Sequence, residues 1–287
     1  VAVTAGQPGA FTSFFGPDPA NLLGVVVLTS LGTWGLPQMI GKFYAIKDEK
    51  SINTGTVIST VFAIVVSGGC YFLGGFARLF DSPAIYDDTT GAVVYDSIIP
   101  YMLSALPDIL IGIVVVLVLS ASMSTLSSLV LTSSSTLTLD LLKDNVIKKM
   151  SEKKQIVTMQ LLIVFFIVVS VVIALDPPTF IAQLMGISWG ALAGAFLAPF
   201  LYGLYWKGVT KAGVWAGFIA GIGITVSNMF IGYIESSINA GAVAMVAGLI
   251  VVPVVSFITP KMKREKVDGI FMCYEEKVTI TKKRSLQ

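Results

Sequence analysis

Seven long apolar stretches govern what this chain can fold into: residues 19–44, 56–76, 107–139, 155–175, 180–206, 213–233 and 241–259. Each is long enough to cross a hydrocarbon core about 30 Å thick. Their apolar runs are continuous and do not alternate in segments of about 10 residues, which predicts helices and excludes a barrel. Composition agrees, because 55% apolar and 13% charged residues over 287 positions, with a mean hydropathy of +0.84, do not describe a water-facing globule. The expected fold is an all-α polytopic membrane protein of about seven transmembrane helices within 19–259. An external segment (1–18) precedes it and a cytoplasmic tail (260–287) follows.

The basic residues give the orientation. Lys42, Lys47 and Lys50 follow the first span; Lys143, Lys148, Lys149, Lys153 and Lys154 follow the third; Lys207 and Lys211 follow the fifth; the rest follow the seventh. Of the 19 Lys and Arg, Arg78 alone falls in the opposite loops. By the positive-inside rule the rich side is the cytoplasm, so the C-terminus is expected inside and residue 1 outside. One missed or invented helix would scramble this alternation, so the charges also support the span count.

Several kinds of chemistry are excluded. The chain has no histidine, which removes His-based acid–base work, Ser-His or Cys-His nucleophiles and most catalytic zinc sites. The two cysteines, Cys70 in a span and Cys273 in the tail, form neither a disulfide framework nor a paired-thiol metal site. No nucleotide motif or paired intramembrane carboxylate is present, which leaves no support for an enzyme, ATP-driven transport, proton relay or a nucleic-acid partner. The chain opens on Val1 with no basic start or apolar run of a signal peptide, and it reads as the C-terminal part of a longer protein.

Two segments outside the spans stand out. The external loop 81–106, with Asp81, Asp87, Asp88 and Asp96 beside Pro83 and Pro100, is long enough to be partly ordered above the membrane, as a solvated loop or an external gate. The tail from Lys261 carries mixed charge and either touches anionic lipid or moves freely.

The third span holds the most informative stretch. Twelve of the 21 residues in 120–140 (SASMSTLSSLVLTSSSTLTLD) are Ser or Thr. Ser120, Ser124, Thr125, Ser127, Ser128, Ser135 and Thr138 recur at spacings of three and four, so several hydroxyls share a helix face, expected to point into the bundle. One reading is close helix packing with hydrogen bonds across helices. The other is a sodium site, since a hard monovalent cation is best held by several neutral oxygens from hydroxyls and unwound backbone.

The first span supplies a second clue. Gly32, Gly35, Pro37 and Gly41 fall within ten residues, and Pro37 opposes continued helix at its preceding turn. The helix is expected to break there, either as a plain kink or as a cavity-lining break of the kind found at transporter substrate sites. Trp34 and Gln38 beside the break offer stacking and hydrogen bonding. The amides Gln160, Gln183 and Asn228 within other spans are expected to bond neighbouring helices, with Gln183 also able to face a cavity.

The segments GTWGLPQMIGKFYAIKDEK, MSTLSSLVLTSSSTLTLDLLK, SWGALAGAFLAP and LYWKGVTKAGVWAGFIAG, in this order, resemble the sodium:solute symporters, nearer the proline and pantothenate branch than the sugar branch. The resemblance covers nearly the whole chain. It implies a leucine-transporter-type fold of two inverted five-helix repeats. The first span would be core helix six, the next four core helices seven to ten, and the last two extra helices. Core helices one to five would then lie upstream in the same full-length protein.

The resemblance also implies site residues. A sodium ion would take the carbonyl of Ala121 and the hydroxyls of Ser124 and Thr125, and a second sodium would fall on Ser127 and Ser128. The solute would meet Thr33, Trp34, Pro37 and Gln38. The sequence departs from the family where proline carriers typically read Gly-Gln-Pro-His and this chain has Gly35, Leu36, Pro37 and Gln38, and where Leu129 stands in place of a frequent Gln. The implied function is sodium-coupled symport of a small organic solute, an amino acid such as proline or a carboxylate such as pantothenate, across the cell membrane by alternating access. The alternative is a symporter-like sensory membrane domain that binds solute without accumulating it.

Overall fold

The computed structural model describes residues 15–43, 46–80, 82–147 and 150–274. Most of the expected external segment 1–18, together with Tyr44, Asp81, Lys148, Lys149 and the tail beyond Tyr274, lies outside the described residues. The described chain is helical, and Tyr86 and Val93 form an isolated antiparallel bridge. Six helices are long and apolar enough to cross a membrane, and a bent helix pair at the start makes a seventh candidate, as the hydropathy pattern predicts. Two compact units divide the chain, residues 1–40 with 182–287, and residues 41–181.

In the first unit, α1 (Pro19–Gly32) starts at Asp18, whose carboxylate accepts from the Asn21 amide at 3.0 Å. It tightens into a 3-10 turn at Thr33–Gly35 and then breaks. Leu36 is extended, with φ −84° and ψ 119°, because the ring of Pro37 crowds the helical conformation of the residue before it. Helix α2 (Pro37–Phe43) leaves at 56° to the preceding helix. The expected break is therefore real, and Leu36 at its centre is buried.

Three of the spanning helices belong to this unit for nearly all of their length: α7 (Ile181–Tyr205), α8 (Lys211–Ile231) and α9 (Ser237–Ile258). Their labels follow α3 (Glu49–Phe76), α4 (Tyr95–Leu103), α5 (Asp108–Ser135) and α6 (Glu152–Leu175) of the second unit. The core is Leu28 of α1, Ala193 and Leu197 of α7, and Met245 of α9. Around it the helices touch through glycine. Gly186, Gly190 and Gly194 recur every fourth residue on α7, as do Gly213, Gly217 and Gly221 on α8, so each set lies along one face. A methyl at Gly190 would lie 2.5 Å from the Cα of Gly241, and one at Gly221 would run into the carbonyl of Gly194. Such backbone-to-backbone approach is how helices associate where lipid supplies no hydrophobic drive. Helix α8 ends on Gly232 at φ +70°, a left-handed position suited to a residue without Cβ, and the Gly232 amide donates to the Asn228 carbonyl at 2.8 Å.

In the second unit, α3 is capped by Asp48, which accepts from the amide and hydroxyl of Ser51, both at 2.7 Å. These two bonds, hydroxyl first, hold the Asp48 carboxyl below its usual range. Helix α5 packs against α6 and continues into a π-helical segment, Thr136–Val146, that also packs on α6. The wider π winding is seen in the Ile147 amide bonding the Leu142 carbonyl, five residues back, at 2.6 Å, and the Asn145 side chain adds a bond from Nδ2 to the Asp140 carbonyl at 2.7 Å.

The loop between α3 and α5 is ordered, as its length leads one to expect. A 3-10 turn at Pro83–Ile85 packs on α4 through buried Ile85. A tight turn follows at Asp87, whose Oδ1 accepts from the amides of Thr89 (2.9 Å) and Thr90 (2.7 Å) and from both hydroxyls. The loop also reaches the end of the unit: Tyr95 and Phe180 lie 5.2 Å apart by ring centroid, and Asp96 Oδ2 accepts from the Ile181 amide at 3.1 Å.

Candidate functional site

The hydroxyl-rich face of α5 is arranged differently along its length. Towards the π segment it turns inward: Ser134 and Thr138, one helical turn apart, are fully buried beside Val130, and Ser135 is half-buried. Ser134 Oγ donates to the Leu131 carbonyl at 3.0 Å, whereas Thr138 Oγ1 has no partner among the described residues. Further up, Ser120, Ala121, Ser124, Thr125, Ser127 and Ser128 are exposed. The expectation that the whole face points into a bundle therefore holds, among the described residues, only for its lower part. Two of the upper hydroxyls are held by their own helix, with Thr125 Oγ1 donating to the Ala121 carbonyl at 3.2 Å and Ser127 Oγ to the Met123 carbonyl at 2.7 Å. Back-bonding of this kind satisfies an isolated hydroxyl in an apolar medium without a partner helix.

Ala121 and Thr125, singled out with Ser124 from the sequence, put a carbonyl and a hydroxyl oxygen 3.2 Å apart on one side of the helix. Ser124, the residue between them in the expected set, sits one position before Thr125 on the same exposed stretch. Ser128 contributes its carbonyl to Thr132 Oγ1 at 2.8 Å. Among the described residues no group of three or more His, Cys, Asp or Glu could hold a metal, so any cation bound here would meet neutral oxygens.

The second set of residues flanks the break after α1. Gly35 lies so close to α7 that a methyl on it would be 2.7 Å from the Cα of Ala193, and Gly32 packs against Trp189 and Met245. This close approach fixes the position of the break. Thr33 is half-buried and donates to the Ser30 carbonyl at 3.2 Å; Trp34 is 58% exposed; Pro37 is exposed and Gln38 half-buried. Leu36, buried between them, has no polar group to offer a ligand. Thr33 and Trp34 thus precede the break and Pro37 and Gln38 follow it, as the sequence predicts.

Asn228, expected to bond a neighbouring helix, instead clasps the turn that follows α8. Its Oδ1 accepts from the Ile234 amide at 2.6 Å and its Nδ2 donates to the Ile234 carbonyl at 3.0 Å. The turn is close enough to satisfy both ends of the amide, so no other helix is needed. Sequence reasoning also missed a pocket of about 450 Å³ beyond α7 and α9, lined by Trp206, Lys207, Lys261 and Arg264 among others. The sequence places Lys261 and Arg264 in a tail that touches anionic lipid or moves freely, and Lys207 among the orienting charges, but nothing in it joins the three.

Known proteins resemble the chain along most of its length. The sodium:solute symporter family pattern matches residues 8–221. The osmoregulated proline transporter OpuE of Bacillus subtilis (strain 168) is 28% identical over 230 residues, covering 77% of this chain and 45% of the relative. A sodium/proline symporter of Staphylococcus aureus is 27% identical over 278 residues, covering 90% of this chain and 53% of the relative. The chain thus spans about half the length of the curated relatives it matches. No solved structure matches it. With an all-helical fold of six to seven membrane-length helices and a match over most of its residues, the chain belongs to the sodium:solute symporter family, whose members are transporters and not enzymes.

Proposed function

We propose that the chain forms the ion-binding and solute-gating part of a multi-pass transporter that couples inward sodium flow to uptake of a small organic solute, with proline the first solute to test. The observation that carries the reading is the pair of oxygens on Ala121 and Thr125 within a chain of this family. A sodium ion about 2.4 Å from each oxygen, the range of a hard cation of this size, would subtend about 84° between them, close to one corner of an octahedron. To bind, the Thr125 hydroxyl would turn its proton away from the Ala121 carbonyl and present a lone pair. Ser124 would supply a third oxygen, and Ser127 and Ser128 a second, weaker ion site.

In this reading the broken helix does the solute work. Thr33 and Trp34 on one side of Leu36, and Pro37 and Gln38 on the other, would line the solute site, with the unwound backbone offering hydrogen bonds that a continuous helix consumes internally. The ion and solute would bind one facing state of the transporter more tightly than the other, and that difference would drive alternating access. A leucine-transporter-type inverted repeat accommodates these roles. The basic loops and C-terminus would face the cytoplasm, a placement that the distribution of Lys and Arg supports. The proline assignment is supported by the two relatives, a proline transporter and a sodium/proline symporter, and the replacement of a polar residue by Leu36 at the break makes a solute other than proline the main competitor.

The test is uptake in proteoliposomes by the full-length gene product, across proline and a panel of other amino acids and carboxylates, with and without an inward sodium gradient. Sodium-driven accumulation that is lost in Ser124→Ala and Thr125→Ala supports the reading. Accumulation indifferent to sodium, or solute binding with no accumulation under any gradient, defeats it.

A further inference from the structure

The end of the first unit that holds the α7–α8 connection carries a pocket unrelated to the hydroxyl face or the helix break. It is built by the residues after α7, by the linker after α9, and by α10 (Arg264–Phe271), and it encloses about 450 Å³. Lys207, Lys261 and Arg264 line it with Asp268 and Trp206, while Val267 is buried beneath. Lys207 Nζ is engaged, 2.9 Å from Asp268 Oδ1 and 5.5 Å from the Phe271 ring. This is the one salt bridge among the described residues, so Lys261 and Arg264 have no acidic partner there.

The pocket is held firmly from behind. Thr210 Oγ1 and Thr259 Oγ1 are 2.7 Å apart, and the Thr210 amide donates to Ser256 Oγ at 3.2 Å, so a buried hydroxyl network joins the α7–α8 connection to the end of α9. Tyr274 OH donates to the Leu204 carbonyl at 3.1 Å and pins the residues after α10 to the last turn of α7. The Trp206 ring packs against Tyr202 and Phe257, at 5.9 and 5.2 Å between centroids. A tryptophan at the end of a spanning helix marks the depth of the lipid headgroups. Beside it, α10 turns Val267 inward and leaves Ile270 exposed, as is Met272 just beyond its end, the disposition of a short helix lying in the interface.

Two cations with no acidic partner among the described residues, a third held by one carboxylate, a preformed cavity and a tryptophan of the kind enriched at headgroup depth together suit a phosphate group. We propose that this pocket binds a phosphate-bearing anion, supplied either by the headgroup of an anionic lipid or by phosphate in solution. Arg264 and Lys261 bind the phosphate oxygens, and Lys207 joins them when Asp268 releases it. Assignment to the inner leaflet rests on the topology proposed above, but the phosphate chemistry does not depend on that topology or on transport.

The experiment uses the full-length protein in nanodiscs containing phosphatidylglycerol diluted in phosphatidylcholine, with retained lipid counted by native mass spectrometry. A second arm titrates inorganic phosphate into the detergent-purified protein and follows its thermal stability. Lys261→Gln with Arg264→Gln should weaken phosphatidylglycerol retention about 30-fold, as expected for losing two cations beside an anionic headgroup. Lys261→Arg with Arg264→Lys should keep it, and Asp268→Asn should strengthen it by freeing Lys207, a gain that misfolding cannot imitate. Lys47→Gln with Lys50→Gln, which removes equal charge from another loop, should leave retention unchanged. Stabilisation by millimolar inorganic phosphate with the same variant pattern, and no lipid preference, identifies solution phosphate as the source. Wild-type binding of both probes by Lys261→Gln/Arg264→Gln, or an equal loss in Lys47→Gln/Lys50→Gln, overturns the site. Uptake assays are read separately, so a failure of the transport reading leaves this result standing.

Discussion

The amide of Ile181 donates to the carboxylate of Asp96 across 3.1 Å, joining residues 85 positions apart. Ile181 opens α7, whose first N–H groups have no partner within the helix, so Asp96, in the first turn of α4, acts as a cap borrowed from another element. Asp96→Ala should destabilise the start of α7 by about 1 kcal/mol, and Asp96→Asn by less because it keeps an acceptor. Hydrogen exchange at residues 181–184 reads this directly; unchanged protection in Asp96→Ala would show that water caps the helix equally well.

Gly221 predicts a sharper loss. A methyl there meets the carbonyl carbon and oxygen of Gly194, backbone atoms with no rotamer to escape into. Gly221→Ala should therefore cost about 1–3 kcal/mol despite its higher helix propensity. Gly223→Ala, two residues on with open space around it, should be neutral or slightly stabilising. Thermal unfolding in one detergent separates the two, and equal melting temperatures would contradict the contact.

Asn228→Ala removes the acceptor and donor that serve Ile234 and leaves Asn228's partners in a half-buried turn. The expected loss is about 2 kcal/mol. Asn228→Asp keeps the bond to the Ile234 amide and repels the carbonyl, so it should fall between alanine and wild type. Chemical denaturation of the three proteins ranks them.

The turn at Asp87 fixes a pH response. The Thr89 hydroxyl, then the Thr90 amide and hydroxyl and the Thr89 amide, all donate to one carboxylate oxygen and hold this group far below the usual carboxylate range. A depressed folded-state pKa means that the stabilisation is fully present above the unfolded value, about 4, and is lost only as pH falls through the much lower folded value. Protection factors at Thr89 and Thr90 should thus stay constant from about pH 8 to pH 5. Asp87→Asn should lower them throughout this range, and a wild-type decline near pH 6 would refute the geometry.

The spans and the break after α1 were legible because each follows from a local rule: apolar length fixes the first, and the ring of Pro37 acting on Leu36 fixes the second. Ala121 and Thr125 were named through the family resemblance, and the helix brings their oxygens together because i and i+4 meet on any helix. What covers a helix face is not local, so the sequence could not say which of the α5 hydroxyls are covered by the described residues: Ser134 and Thr138 are, and the upper ones are not, in a chain that spans about half the length of its relatives. The π winding of Thr136–Val146 also escaped, because its mixture of Leu, Thr and charged residues does not distinguish an α from a π period over 11 residues. Asn228 was assigned a distant partner when the nearer one, six residues on, becomes visible only once the Gly232 turn is formed. The basic pocket needed three chain segments brought together and no local pattern announces it.

The glycine seam of α7, α8 and α9 has a mechanical consequence. Contacts between bare backbones freeze no rotamers, so the helices join without a side-chain entropy penalty. They also leave nothing to reach across a gap: dispersion falls so steeply that a separation of about 1 Å already forfeits up to half of the attraction. A seam of this type is brittle. It does not stretch gradually under load, so these helices should travel as one block or part altogether, and intermediate degrees of opening between Gly194 and Gly221 have little to hold them.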